Sequence, residues 1–178
     1  MIKGIVILDG PDAAGKTTLA EKLIEMNHDN GIILHATYRF KNKIPVYHGA
    51  LLRKAYRLSK KKLVILDRLH ISEYIYAKVF RGGTKWSWQL PVFNQICKEL
   101  NIPIIICIPS SVERGIEWFE QTKNIRYEMF DDMSKIIEEY IKYAKKDKNI
   151  LIYNRDLTKQ LEFYYEYIYD EIKRRIYR

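Results

Sequence analysis

The apolar run Ile5-Val6-Ile7-Leu8 ends in Asp9 and leads at once into Gly10-Pro11-Asp12-Ala13-Ala14-Gly15-Lys16-Thr17, a match to GxxxxGK[ST]. An uninterrupted aliphatic run of this length suits a strand buried on both faces. After the motif, Leu19, Leu23 and Ile24 fall on one face of a helix predicted from Lys16 to Met26. Strand, glycine-bounded turn and amphipathic helix in that order are the context this motif needs to bind phosphate. The glycines let backbone N–H groups curl around an anion, and the helix N-terminus adds positive potential. A plain turn between strand and helix needs neither Lys16 nor Thr17, so the segment reads as a phosphate-binding loop. Its predicted ligand is ATP with Mg²⁺, contacted by Gly10, Asp12, Ala13, Ala14, Gly15, Lys16, Thr17 and Thr18. Lys16 is placed to reach the β- and γ-phosphates and the Thr17 hydroxyl to ligate the metal.

The rest of the chain alternates apolar runs with helical periodicity. Strands are expected at Ile32–Leu34, Leu63–Leu66, Ile104–Ile108 and Ile150–Tyr153. Helices are expected over Tyr47–Leu58, Ile71–Val79 and Trp88–Leu100, from Val112, and over Tyr127–Lys145 and Thr158–Tyr177. Strands separated by helices imply parallel pairing with helices on both faces. The expected fold is therefore α/β, a three-layer sandwich of the P-loop NTPase type around a five-stranded parallel sheet. With 178 residues and no repeat or low-complexity linker, one domain spanning 1–178 is expected.

Composition narrows the remaining classes. No apolar run approaches the roughly 20 residues of a membrane span, and the first one is too short for a secretory signal. Cys97 and Cys107 lie in apolar segments without a CxxC spacing, which fits reduced, buried thiols and a cytoplasmic protein (host cytoplasm if viral). The formal charge of +9 attracts phosphates in general. A Lys-, Ile-, Asn- and Tyr-rich composition also follows from AT-rich coding, so nucleic acid is an open but not a favoured partner.

The third predicted strand closes with Asp67-Arg68. Asp67 is the candidate second metal residue, beside Thr17. A cation after that aspartate suits an anionic acceptor better than it suits water activation, which argues against motor-type ATPases. Asn42-Lys43-Ile44-Pro45 lacks the aspartate with which GTP switches read guanine.

Asp9 to Thr18 together with Leu66-Asp67-Arg68 resemble the thymidylate kinase and deoxynucleoside kinase group. The stretch from Asp67 to Tyr76 (Asp-Arg-Leu-His-Ile-Ser-Glu-Tyr-Ile-Tyr) is similar to compact kinases of this group found in phage genomes. By position, the resemblance implies that Arg68 binds the acceptor side and the transferring phosphoryl group. It implies that Asp12 contacts the acceptor sugar or phosphate. Asp9 stands where nucleoside kinases deprotonate a 5′-hydroxyl and monophosphate kinases support the metal; a purely structural bond to loop amides is the competing reading. Catalytic expectations thus fall on Lys16, Arg68 and Asp9. Acceptor expectations fall on Asp12, Tyr38, Arg39, Arg68, His70 and Glu73, of which His70 and Glu73 suit a helix start equally well. Tyr74 and Tyr76 are expected to pack rather than to stack a base. Relatives close an arginine-bearing lid over the phosphates; here the segment around 112–127 offers Arg114, Lys123 and Arg126.

The function these residues imply is an ATP-dependent (deoxy)nucleoside monophosphate kinase, similar to thymidylate kinase. A deoxynucleoside kinase, a polynucleotide 5′-kinase and a non-catalytic nucleotide-binding regulator are the alternatives. The expected partner is a small nucleoside or nucleotide, with no membrane, and homodimerisation is left open.

Overall fold

The computed structural model describes residues 1–37, 43–122, 130–147, 149–154, 156 and 161–178. Five strands and seven helices alternate: β1 Gly4–Asp9, α1 Lys16–Met26, β2 Gly31–His35, α2 Ile44–Ser59, β3 Leu63–Asp67, α3 His70–Arg81 and α4 Gln89–Glu99. Then follow β4 Ile104–Cys107, α5 Val112–Glu120, α6 Phe130–Ala144, β5 Leu151–Tyr153 and α7 Leu161–Ile176. The strands form one parallel sheet in the order β2-β3-β1-β4-β5. The α/β expectation of a five-stranded parallel sheet with helices on both faces is met.

Side-chain alternation along β1 explains the layers. Val6 and Leu8 face α1 and α7, meeting Leu19, Leu23, Ile168 and Ile172. Ile5 and Ile7 face the other way, towards Leu52 and Ala55 of α2 and Phe93 and Cys97 of α4. Beyond them, Ile106 of β4 packs with Ile71 and Ile75 of α3 and Ile136, Ile137 and Tyr140 of α6. Each inner strand is covered twice, which is why it reads as an unbroken apolar run.

Small differences from the sequence expectation have local causes. Helix α2 starts at Ile44 rather than Tyr47, because Pro45 sits in its first turn, where a missing N–H costs nothing. Its inward face includes the buried His48 as well as Leu52 and Ala55, while Leu51 is only half-buried. Tyr127 and Thr158, the expected first residues of the last two helices, lie outside the described residues. Among the described residues no helix is long and apolar enough to cross a membrane. Both cysteines are free and buried.

With β1 between β3 and β4, the loops leaving these strands at their carboxyl ends meet. In parallel sheets ligands bind there.

Candidate active site

The loop from Gly10 to Gly15 is shaped by close approach to β4. Gly10 has φ +147°, and a Cβ there would come within 2.2 Å of the Cys107 carbonyl oxygen, so no side chain fits. Gly15, with φ +81°, ends the loop as the N-cap of α1. Lys16 is buried and its Nζ donates to the carbonyls of Gly10 (3.1 Å) and Pro11 (2.5 Å). The ammonium is thus held across the loop by neutral oxygens. Burial, and after it the charge of Arg68, lowers its pKa to about 8. Thr17 and Thr18 are exposed on the first turn of α1.

Arg68 leaves the end of β3 in a left-handed conformation, φ +68°, with its N–H bonded to the Leu8 carbonyl at 2.8 Å. This unusual backbone turns the side chain towards the loop. The guanidinium is buried, pairs with Asp12 at 2.5 Å and lies over the Tyr76 ring, 5.1 Å from its centre. It also donates to Ser72 Oγ at 3.4 Å. Burial opposes its charge, but Tyr140, Tyr76, Asp12 and Asp9 more than compensate and keep it protonated. The carboxylate that pairs with Arg68 is Asp12 of this loop. Tyr76, expected only to pack, also donates to Asp12 at 3.3 Å.

Asp67 points its Oδ2 at His35 Nδ1, 2.7 Å away at the end of β2, while its Oδ1 is buried and without a partner. Such an orphaned carboxylate oxygen near the loop fits a role in holding a cation or its water. Among the described residues no three carboxylate, imidazole or thiol groups converge on a metal position.

Asp9 is fully buried and saturated. Its Oδ1 accepts from Gly10 N (2.9 Å), Ser72 Oγ (2.5 Å) and Tyr140 OH (2.7 Å). Its Oδ2 accepts from Leu69 N (3.3 Å) and Ser72 N (3.2 Å). Five donors on four lone-pair positions leave no free face for a substrate hydroxyl.

His70 and Glu73 lie on α3 but away from solvent. His70 Nε2 meets Asn94 Oδ1 at 2.8 Å, and Glu73 Oε1 accepts from Arg81 (2.8 Å) and Thr84 (3.0 Å). Of the lid residues, Arg114 is described, bonded to Asp156 at 3.0 Å and to Glu117. Lys123 and Arg126 lie outside the described residues, as do Tyr38 and Arg39.

Sequence reasoning missed Ser72, Tyr140, His48 and Gln89. Tyr140 reaches Asp9 across 131 residues, and nothing local signals that. Ser72 lies in the first turn of α3 and meets Asp9 because β1 and β3 are neighbours in the sheet.

Beside Gly15 and Thr18 a cavity of about 390 Å³ opens, lined also by Arg114, Trp118, Asp156 and Tyr165. A larger one, about 630 Å³, lies at the amino end of β4, far from this chemistry, against Lys98 and Arg175.

No protein-family model and no curated sequence matches the chain. Solved structures do. A YorR protein from Bacillus subtilis, in complex with phosphorylated GDP, superposes with a TM-score of 0.64 at 18% identity, covering 95% of each chain. Thymidylate kinase from Candida albicans gives 0.59 at 16% identity, covering 96% of this chain and 92% of its own. Deoxyadenosine kinase from M. mycoides with bound dATP gives 0.54 at 15% identity, covering 94% and 98%. At these identities the likeness is one of fold. The chain has the α/β fold of these structures over nearly its whole length.

Proposed function

We propose that this chain is a phosphotransferase that moves the γ-phosphoryl group of ATP to a (deoxy)nucleoside monophosphate. The observation that carries the reading is the pair of buried cations at the loop. Lys16 is held only by carbonyls, and Arg68 is close enough to depress its pKa. The Lys16 ammonium, bonded to carbonyls and set beside the Asp12-paired Arg68, is held at a cost that an anion between the two cations relieves. A YorR protein with phosphorylated GDP and a deoxyadenosine kinase with dATP share the fold, which supports nucleotide binding and phosphotransfer without choosing the acceptor.

In this mechanism Lys16 leaves the Gly10 and Pro11 carbonyls for the β- and γ-phosphate oxygens, with the loop amides around the β-phosphate. Thr17 and Asp67 Oδ1 are the residues that would hold Mg²⁺. When bound, that ion offsets charge on the phosphate oxygens. The donor's nucleoside lies in the cavity beside Thr18, with Arg114 along its wall. Arg68 orients the acceptor phosphate in line with the γ-phosphorus and neutralises charge as the P–O bond to ADP breaks. Asp12 and Tyr76 hold Arg68 in place until the acceptor arrives.

The saturated Asp9 favours a monophosphate acceptor over a nucleoside. A nucleoside hydroxyl needs a base, whereas a phosphate oxygen is already anionic. Asp9 thus has a supporting role beneath the loop. A coupled assay of ADP release across nucleosides, monophosphates and oligonucleotide 5′ ends tests the proposal. Turnover with at least one monophosphate is expected. ATP hydrolysis that no monophosphate accelerates would overturn it.

A further inference from the structure

At the end of the sheet opposite the loop, where the strands begin, two cavities open. One, of about 630 Å³, is lined by Lys98 and Arg175; the other, of about 240 Å³, by Lys3, Tyr56 and Lys60. Asn101 and Ile102 line both, so the two are parts of one groove. The sheet order sets the amino ends of β3, β1, β4 and β5 side by side beneath it. Three strand spacings give the groove a length of about 14 Å.

The groove carries charge of one sign at both of its ends. Among the described residues the only carboxylate side chain in either wall is that of Asp147, whose Oδ1 already takes the Asn149 backbone and side-chain amides. Arg175 is partly engaged, with Nε 3.8 Å from Glu171 and Nη1 donating to the Asn149 carbonyl. Lys3, Lys60 and Lys98 are exposed and form no ion pair among the described residues. A helix dipole favours a cation in the last turn, which accounts for Lys98 on α4 and Arg175 on α7. It does not account for Lys3, which precedes β1, or for the scarcity of carboxylates to pair with. Between the cations stand groups of another kind. The Tyr56 ring is 50% exposed, with Lys60 Nζ 5.6 Å from its centre, and Gln95 and Asn101 add side-chain amides.

We propose that this groove binds single-stranded nucleic acid, independently of the loop at the opposite end of the sheet. Cations spaced along a groove follow a phosphate backbone, an exposed aromatic ring stacks an unpaired base, and amides meet base edges. A lone phosphate group would need one cavity; a linear polyanion uses the continuity of both. At roughly 3.4 Å per stacked nucleotide, 14 Å accommodates about four. A duplex keeps its bases stacked on one another and offers none to the Tyr56 ring. The formal charge of +9 draws such a strand in from a distance.

Fluorescence anisotropy of a labelled oligothymidylate, on the full chain at several salt concentrations, tests this. Binding should weaken with salt at a log–log slope of about −2 to −3, as expected for about four phosphates on a single strand. The double variant Lys60→Glu with Lys98→Glu, one charge from each cavity, should lose at least about tenfold in affinity. Lys85→Glu with Lys135→Glu changes the net charge equally at exposed lysines elsewhere and should lose less than about threefold. Tyr56→Ala removes the stacking ring and should cost at least about fivefold. Saturating ATP with Mg²⁺ should leave the affinity unchanged. Equal losses in the two double variants, or displacement of the strand by ATP, would overturn the proposal. So would tighter binding of a duplex of the same length, of polyglutamate or of phosphatidylserine vesicles, which would assign the face to another partner. The measurement needs no turnover, so this site and the kinase reading stand or fall separately.

Discussion

Lys16 carries its charge in a place where burial and a neighbouring cation both oppose it, and that has a measurable consequence. With its pKa lowered to about 8, the free protein begins to lose this proton just above neutrality. Triphosphate oxygens raise the pKa again on binding, so ATP binding must take up a proton at high pH. Affinity for ATP should be flat below about pH 7.5 and fall towards tenfold per pH unit above about pH 8. Calorimetry in buffers of different ionisation enthalpy should show close to one proton taken up at pH 9 and nearly none at pH 7. A flat profile would mean that Lys16 does not touch the phosphates. His48 works in the opposite pH range. Burial, then the neighbouring His70, pushes its pKa down to about 4. The unfolded chain takes up this proton near pH 6.5 and the folded one does not. The stability it contributes is therefore full above pH 6.5 and is lost as the pH falls towards 4, by about 2 kcal/mol at pH 5. His70 shifts the same way. Urea unfolding at pH 7 and pH 5 should show this loss, and His48→Asn should reduce it. Lys16, Asp67 and Arg68 were legible because motif and strand end sit together in sequence. His48 was not, since a histidine in a helix of arginines and lysines gives no sign of facing inwards.

Between elements, Asp9 does for α3 what that helix cannot do for itself. The N-cap position of α3 is Leu69, which makes no side-chain cap, and the amides of Leu69 and Ser72 bond to the Asp9 carboxylate on β1 instead. Tyr140 brings α6 to the same oxygen pair. One carboxylate thus joins β1, α3 and α6 beneath the loop, with its charge at a helix N-terminus, where it is favoured. Asp9→Asn replaces an acceptor by a donor among donors and should cost about 2–3 kcal/mol of stability. Under the proposed mechanism the folded variant should retain turnover within about tenfold, as the residue takes no proton. Urea midpoints and kcat measured together separate the effects: a folded variant slowed by more than about 10³-fold would restore Asp9 as a base and a nucleoside as acceptor. At this scale, strand centres were legible because both faces are covered, whereas edges depended on tertiary contacts. Gly4, for example, opens β1 where the Ile176 side chain of α7 leaves no room for a Cβ.

For the whole molecule, order of elements sufficed to predict a parallel sheet with helices on both faces, since parallel strands need crossovers and crossovers need space. The strand order β2-β3-β1-β4-β5 was not legible, because it depends on which helices share a face, and that is settled by side chains distant in sequence. The order matters to function: it sets the loop after β1 between β3, which supplies Asp67 and Arg68, and β4, whose Cys107 carbonyl shapes Gly10. A ligand bound in that cleft should register as global stability. At a concentration 100 times the dissociation constant, the gain is about 2.7 kcal/mol. For a chain of 178 residues that corresponds to a rise in melting temperature of roughly 5–10 °C. Differential scanning fluorimetry with ATP and Mg²⁺ should show it, and Lys16→Ala should abolish most of it while melting close to wild type without ligand. The same variant should lose several kcal/mol of transition-state stabilisation in the acceptor assay, because a charge on the transferring group is gone. A full thermal shift in Lys16→Ala would place the triphosphate elsewhere and remove the basis for the catalytic site.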